Sequence, residues 1–234
     1  MGTDIKIWNS SIDPVDDQNG LELMKKLPSL LRILGTTALL VAMYSFLVKG
    51  WHSGGDVFRY LLMLGHTGAM TAIGLTSGHW LKEGKGARLL LTLALVSVSA
   101  NFAILGAFIF SQTQWAATVN YPGYVAWSVD SLSTALVVTG LALVVLLPVM
   151  CLGFRVLSRS MSSSLAVLFL ISNMALLVPL RDPYMVGFMV VALSLFVLVF
   201  SGKTARQDVS ARTHEGMMAL VLQYMPIGVL LCRN

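Results

Sequence analysis

The chain has 234 residues, of which 56% are hydrophobic and only 12% are charged, and its formal net charge is +5. Soluble globular domains carry about 25% charged residues, so this composition excludes an ordinary water-soluble domain and favours a membrane protein. The basic residues lie in small clusters beside long apolar blocks and form no stripe interleaved with aromatic residues, which excludes nucleic acid as a partner.

The N-terminal segment, residues 1–29, is polar and ends in the basic stretch "LELMKKLPSLLR". We expect it to be cytoplasmic and to end in a juxtamembrane helix. The first apolar block begins only near Leu30, too far along the chain for a cleaved secretory signal, so we expect a retained membrane helix there. Residues 30–201 are expected to form a transmembrane bundle, and residues 202–234 a cytoplasmic linker followed by a short apolar helix.

Six apolar blocks are each long enough to cross a bilayer, which takes about 20 residues. They cover residues 30–48, 58–81, 88–111, 132–154, 161–180 and 183–201. The sequence therefore predicts an all-α, polytopic membrane bundle of six transmembrane helices. Just before the sixth block, Asp182 is suited to an N-cap and Pro183 to the first helical turn.

The C-terminal stretch "EGMMALVLQYMPIGVLLCRN" is ambiguous. A helix from Gly216 to Cys232 would be about 25 Å long, slightly short for a hydrocarbon core of about 30 Å. Pro226 lies inside it and would interrupt the backbone hydrogen bonds. The stretch fits either a short, kinked seventh span or an interfacial helix, and we favour the span.

The positive charges predict an orientation. Twelve of the 16 Lys and Arg residues fall on one side of the predicted bundle; Lys49, Arg59 and Arg181 fall on the other, with Arg233 set aside. Because cytoplasmic loops carry the excess of positive charge, we expect a cytoplasmic N-terminus in a plasma membrane or bacterial inner membrane. The loop at residues 112–131 then lies outside, where its tryptophans and tyrosines suit the membrane interface.

Polar side chains occur within the predicted spans at similar depths. They are His66, Asn101, Thr139, Asn173 and Ser194. At about 1.5 Å per residue, each lies roughly 10–16 Å below the outer surface. Such a layer either joins helices by hydrogen bonds or faces a ligand, and we favour the first. The central turns of the spans contain no Asp, Glu or Lys, which argues against proton pumps, ion-coupled carriers and voltage sensors.

The histidines raise the question of a haem site. His66 and His79 lie about 20 Å apart along one predicted helix, so they cannot both bind one iron. A haem at His66 would need a methionine such as Met70 as its second axial ligand, and we disfavour it. Cys151 and Cys232 are isolated and form no metal-binding pattern. We therefore expect no metal and no cofactor.

The second predicted span carries a stripe of small residues, and the third span carries a comparable one. Small residues allow helix backbones to approach closely in a membrane, so we expect these two spans to form a close antiparallel pair. The packing residues of the second span are Thr67, Thr71, Gly74 and Gly78.

The sequence contains no nucleophile elbow, phosphate loop or metalloprotease helix. We favour a non-enzymatic bundle that serves as a subunit, scaffold or sensor of a membrane complex. Its partners would be the lipid bilayer and either other membrane subunits or further copies of itself. One alternative is a transporter or permeation pathway for a small neutral or weakly polar molecule. A second alternative is a membrane redox or haem subunit that uses His66.

Overall fold

The structure is a computed structural model. It describes residues 55–80, 84–114, 116 and 127–232, together with six residues between 34 and 42. The chain divides into two units, Met1–Phe46 and Leu47–Asn234. The described residues of the first unit are helical. They fall within the first predicted span, whose other residues lie outside the described part, as does the predicted N-terminal segment 1–29.

The described part of the second unit is all-helical. In chain order it contains α1 (Asp56–Trp80), α2 (Gly84–Ser111), α3 (Leu132–Leu157), α4 (Ser162–Leu177), α5 (Pro183–Gln207), a short 3₁₀ helix (Val209–Arg212), α6 (His214–Leu222) and α7 (Met225–Cys232). This confirms the prediction of an all-α helical bundle.

Four helical stretches are long and apolar enough to cross a membrane. They are Gly84–Ser111, Leu132–Leu157, Pro183–Arg206 and His214–Cys232. The first three correspond to the third, fourth and sixth predicted spans, and the last to the ambiguous C-terminal stretch. Such helices imply contact with a lipid bilayer, because only lipid is a suitable solvent for apolar surfaces of this length.

The structure does not show six spans. The fifth predicted span shrinks to Ser162–Leu177, a helix of 16 residues. At about 1.5 Å per residue this helix is roughly 24 Å long, short of the hydrocarbon core. It ends early because Pro179 follows Val178, and a residue before proline avoids the helical region; Val178 has an extended backbone with ψ 124°.

The second predicted span is helical over 25 residues, Asp56–Trp80, but is not among the four apolar stretches. The charged pair Asp56 and Arg59 occupies its first turn, and His66 and several threonines follow. These polar groups lower its hydropathy, and eight of its residues are buried against the rest of the protein instead. A helix can therefore lie within a bundle without the continuous apolar surface that lipid demands.

The C-terminal stretch is broken rather than continuous. α6 ends at Leu222, and Gln223 and Tyr224 form a turn in which their amides bond to carbonyls three residues earlier. Pro226 then lies in the first turn of α7, where its missing N–H is not needed. The kink expected from Pro226 thus falls just before the proline itself.

The central helix is α2. Of its most apolar stretch, 67% is buried, whereas the corresponding figure for α5 is 17%. α2 packs against α1, α3, α4 and α7. α3 and α4 are joined by an edge-to-face contact between Phe154 and Phe169, whose ring centroids are 5.3 Å apart. α5 is consequently the outer helix of the described part of the bundle.

The start of α5 follows from its local sequence. Asp182 is the N-cap, and its Oδ1 accepts hydrogen bonds from the amides of Tyr184 and Met185 at 3.1 and 3.0 Å. Pro183 occupies the first turn, where a proline ring is already in the helical conformation. This confirms the predicted roles of both residues.

Candidate functional site: polar groups within the bundle

The five residues of the predicted polar layer lie on five helices. Asn101 on α2, Thr139 on α3 and Asn173 on α4 are buried, whereas His66 on α1 and Ser194 on α5 are partly exposed. Within the described part of the chain, no hydrogen bond joins any two of them.

Asn101 belongs to a buried hydrogen-bonded cluster with Thr67 of α1 and Ser97 of α2, which we call the polar cluster. The Asn101 amide nitrogen donates to Thr67 Oγ1 at 3.0 Å and to the carbonyl oxygen of Ser97 at 2.8 Å. The hydroxyl oxygens of Thr67 and Ser97 are 2.7 Å apart. All three residues are at most 1% exposed, so the cluster joins α1 and α2 in a dry environment.

The two hydroxyls of the polar cluster share one short contact and a carbonyl acceptor. When Thr67 Oγ1 donates its single hydrogen to the carbonyl oxygen of Met63 at 3.1 Å, Ser97 Oγ is the donor to Thr67 Oγ1. Both hydrogens of the Asn101 amide are used as well. In this arrangement the cluster has no unused donor. Of the side-chain oxygen and nitrogen atoms of the polar cluster, Asn101 Oδ1 is the one that has no hydrogen-bond partner among the described residues.

Thr139 and Asn173 make hydrogen bonds within their own helices. Thr139 Oγ1 donates to the carbonyl oxygen of Ala135 at 2.8 Å, and the Asn173 amide donates to the carbonyl oxygen of Phe169 at 2.8 Å. Both bonds span four residues, the usual way in which a membrane helix accommodates a polar side chain without water. These two bonds join no second helix.

Several buried polar atoms have no hydrogen-bond partner among the described residues. They include His66 Nε2, Ser99 Oγ, Ser172 Oγ, Asn173 Oδ1 and Gln223 Oε1. Gln223 donates to the carbonyl oxygen of Leu165 at 3.3 Å, which links the turn between α6 and α7 to α4. These atoms are spread over α1, α2, α4 and the α6–α7 turn.

The residues of the predicted packing stripe lie along α1 where it contacts α2. A Cβ atom added at Gly74 would be 3.2 Å from Leu91 Cγ and 3.3 Å from the carbonyl oxygen of Ala87. One added at Gly78 would be 3.2 Å from Ala87 Cβ. Thr71 is buried and donates to the carbonyl oxygen of Thr67 at 3.0 Å. The absence of side chains at the two glycines permits this close approach of the helices.

A second cluster, which the sequence analysis missed, lies at the end of the bundle where α1 begins. Arg59 is only 9% exposed; it pairs with Asp56 at 2.9 Å, and its guanidinium carbon lies 4.6 Å from the centre of the Trp127 ring. Asp56 Oδ2 also accepts a bond from the Ser128 amide at 2.9 Å. The cluster fastens the start of α1 to the segment before α3, and the Asp-x-x-Arg spacing was its only sequence signal.

Arg181 makes a similar contact at the N-terminal end of α5, with its guanidinium carbon 4.6 Å from the centre of the Phe110 ring. Arg59 and Arg181 are two of the three cations on the predicted outer side, opposite to the side that carries most of the Lys and Arg residues. Because both lie over aromatic rings, their charge is stabilised by protein as well as by solvent.

Within the described residues, no group of three or more His, Cys, Asp and Glu side chains is placed to hold a metal ion. The two free cysteines, Cys151 and Cys232, are exposed. His79 lies near the C-terminus of α1 and is exposed, whereas His66 is partly buried on the same helix. The helix therefore keeps the two histidines apart, as their spacing requires.

No protein family, curated protein or solved structure matches the chain.

Proposed function

We propose that this chain is a non-enzymatic, multi-pass membrane protein that serves as a structural subunit or scaffold of a membrane assembly. Its cytoplasmic N-terminus, deduced from the distribution of Lys and Arg, belongs to the same proposal. The four apolar helical stretches support the membrane location. The role of the buried polar residues supports the non-enzymatic assignment.

The observation that carries the proposal is the hydrogen bonding of the polar cluster between α1 and α2. Thr67, Ser97 and Asn101 bond to one another and to the neighbouring backbone, as expected of groups that join helices. A substrate site needs groups that remain available to the substrate. The donors that the polar cluster contains are instead committed to the contact between α1 and α2.

A double-mutant cycle between Asn101 and Thr67 tests this role. Asn101→Leu and Thr67→Val should each destabilise the protein by about 0.6–1.7 kcal/mol, the range of interhelical hydrogen bonds in membranes. The double variant should cost less than the two single costs added together, because both partners of one bond are then absent. Reversible unfolding in mixed detergent and SDS micelles measures all three free energies.

Thr76→Val is the matched control, because Thr76 is exposed and bonds only to Ala72 and Ile73 of its own helix. It should change the free energy of unfolding by less than about 0.5 kcal/mol. If Asn101 and Thr67 show no energetic coupling, the polar cluster does not join the helices, and its residues become candidates for a ligand site.

The assembly part of the proposal concerns α5, the outer helix. Its side chains Phe188, Val191, Leu195 and Val199 recur at helical spacing and are each more than half exposed. Such a surface suits either lipid or another membrane helix. We infer that a protein subunit, either another protein or a second copy of this chain, covers the part of α5 around Phe188.

Extraction of the membrane directly into polymer nanodiscs, followed by native mass spectrometry, tests this inference. We expect the 25.3 kDa chain in a constant ratio with further protein chains. Phe188→Ala should lower that ratio, whereas Val144→Ala, at a 70% exposed position on α3, should leave it unchanged. Particles that contain only single copies of this chain would contradict the subunit role.

A further inference from the structure

A groove lies between the C-terminal half of α5 and α6. Its volume is about 840 Å³, within the range of roughly 300–1,000 Å³ that is common for small-molecule sites. One wall comes from α5 and the other from α6 and the turn that follows it. None of the five residues of the predicted polar layer lines it.

The groove has an apolar part and a basic part in a fixed order along α5. Leu198 and Val199 of α5 line the apolar part, together with Leu220 and Val221 of α6. Lys203 lies four residues, or about 6 Å, beyond Val199 towards the end of the helix. Arg206 is one turn further and is the last residue of the candidate membrane span.

This order matches the structure of a phospholipid in a membrane. The basic residues lie at the end of the span, at the level of lipid headgroups, and the aliphatic residues lie where acyl chains run. Tyr224, on the opposite wall, is 40% exposed.

Ser201 provides a second, independent feature of the groove. It lines the groove, is only 7% exposed, and its Oγ has no hydrogen-bond partner among the residues that the structure describes. A buried hydroxyl without a partner is costly, and an acceptor oxygen in the groove would remove that cost. The phosphate and ester oxygens of a lipid are acceptors of this kind.

The charges around the groove favour an anion. Lys203 and Arg206 contribute two positive charges, and no Asp or Glu is among the described residues that line it. The nearest carboxylates along the chain are bonded elsewhere: Glu215 pairs with Arg88. Hydrogen bonds from Ser160 and Ser210 hold the pKa of Asp208 below its ordinary value, so this carboxylate is ionised, but it does not line the groove.

We propose that this groove binds one anionic phospholipid. Its phosphate lies between Lys203 and Arg206, an oxygen accepts the Ser201 hydroxyl proton, and one acyl chain runs along Val199 and Val221. The lipid fills the space between α5 and α6 and so fastens the outer helix to the bundle. The inference rests on the membrane location proposed above.

Binding can be measured by native mass spectrometry of the purified protein with phosphatidylglycerol or phosphatidylcholine added in detergent. The wild type should retain phosphatidylglycerol in preference to phosphatidylcholine. The double variant Lys203→Gln/Arg206→Gln should weaken phosphatidylglycerol binding by roughly thirtyfold, from the usual contribution of two cations near a lipid surface. Ser201→Ala should weaken the binding of both lipids.

The matched control is Arg155→Gln/Arg159→Gln, which removes two exposed positive charges that do not line the groove. It should leave binding within about twofold of the wild type, a difference too small to represent a lost contact. For the unmodified protein, phosphatidylglycerol retention should fall as NaCl is raised, since salt screens an exposed ion pair. Inorganic phosphate should not compete, because it lacks the acyl chain.

Equal retention of the two lipids by the wild type would overturn the proposal, as would equal losses in the groove variant and its control. Displacement by inorganic phosphate would show a phosphate site rather than a lipid site. Release of the protein from membranes by alkaline carbonate would instead contradict the membrane location itself. Failure of the lipid proposal and failure of the proposed function are thus distinguishable.

Discussion

Replacement of Gly74 by alanine places one methyl group in the contact between α1 and α2. The new Cβ atom would lie 3.2 Å from Leu91 Cγ, 3.3 Å from Leu90 Cβ and 3.3 Å from the carbonyl oxygen of Ala87. Unstrained carbon atoms are about 3.5–4.0 Å apart. The two leucine side chains can shift, but the carbonyl oxygen belongs to the backbone of α2, so the helices must separate by a few tenths of an ångström.

The expected cost follows from two opposing effects. Overpacking of this kind costs about 1–3 kcal/mol. Alanine is a better helix former than glycine by about 1 kcal/mol, which partly offsets that cost. Gly65 on the same helix has no atom within 4 Å of an added Cβ, so Gly65→Ala experiences only the favourable effect. The difference between the two variants should therefore be about 1–3 kcal/mol.

Unfolding in mixed micelles measures both variants under identical conditions. Gly74→Leu should be more destabilising than Gly74→Ala because it adds more atoms to the same contact. Gly78→Leu should be milder than Gly74→Leu, since Gly78 is exposed and its added Cβ would meet only Ala87. If Gly74→Ala and Gly65→Ala have equal free energies of unfolding, α1 and α2 do not approach each other closely at Gly74.

Three further measurements address other parts of the chain. Gly216→Ala should destabilise the protein by about 3 kcal/mol, because the new Cβ would overlap a backbone carbonyl of the 3₁₀ helix. Gly228→Ala should not destabilise it, because an added Cβ there meets open space. Equal thermal stabilities of the two variants would contradict this packing. The lowered pKa of Asp208 means that its carboxylate stabilises the folded state above its ordinary pKa of 3.8, and that this stabilisation is lost as pH falls through the lower folded value. The unfolding temperatures of the wild type and Asp208→Asn should therefore converge at acidic pH, and a difference that stays constant with pH would refute this role of the carboxylate. Reporter fusions after Arg159 should report the cytoplasm and fusions near Tyr121 the outside, and the inverse pattern would overturn the proposed orientation.

Local sequence determined the helices that an apolar run or a cap specifies. α2, α3 and α5 were predictable because each is apolar over at least the length that lipid requires, independently of any neighbour. The N-cap at Asp182 was predictable because its bonds reach only two and three residues along the chain. The early end of α4 was also local: the Val178–Pro179 pair carried the signal, and the apolar run hid it.

Tertiary structure decided which polar residues meet. The sequence assigned His66 to the polar layer and Thr67 to the packing stripe of α1, but it is Thr67, one position and about 100° further around the helix, that bonds to Asn101. Thr67 and Ser97 are 30 residues apart, and their contact depends on the rotation of two helices about their axes. Hydrophobic content sets which segments are helices in a membrane, but it leaves that rotation undetermined.

The groove between α5 and α6 also required the tertiary structure. One wall belongs to the last predicted span and the other to the short C-terminal helix, which the sequence analysis treated as separate regions. Lys203 and Arg206 served there only among the positive charges that predict the orientation. The 3₁₀ helix at Val209–Arg212 contacts both α5 and α6. Composition is enough to establish that such a chain prefers lipid, because the free energy of transferring apolar groups from water is roughly proportional to their area. The position of a ligand site depends instead on which surfaces face each other, and only the packing of the helices determines which ones do.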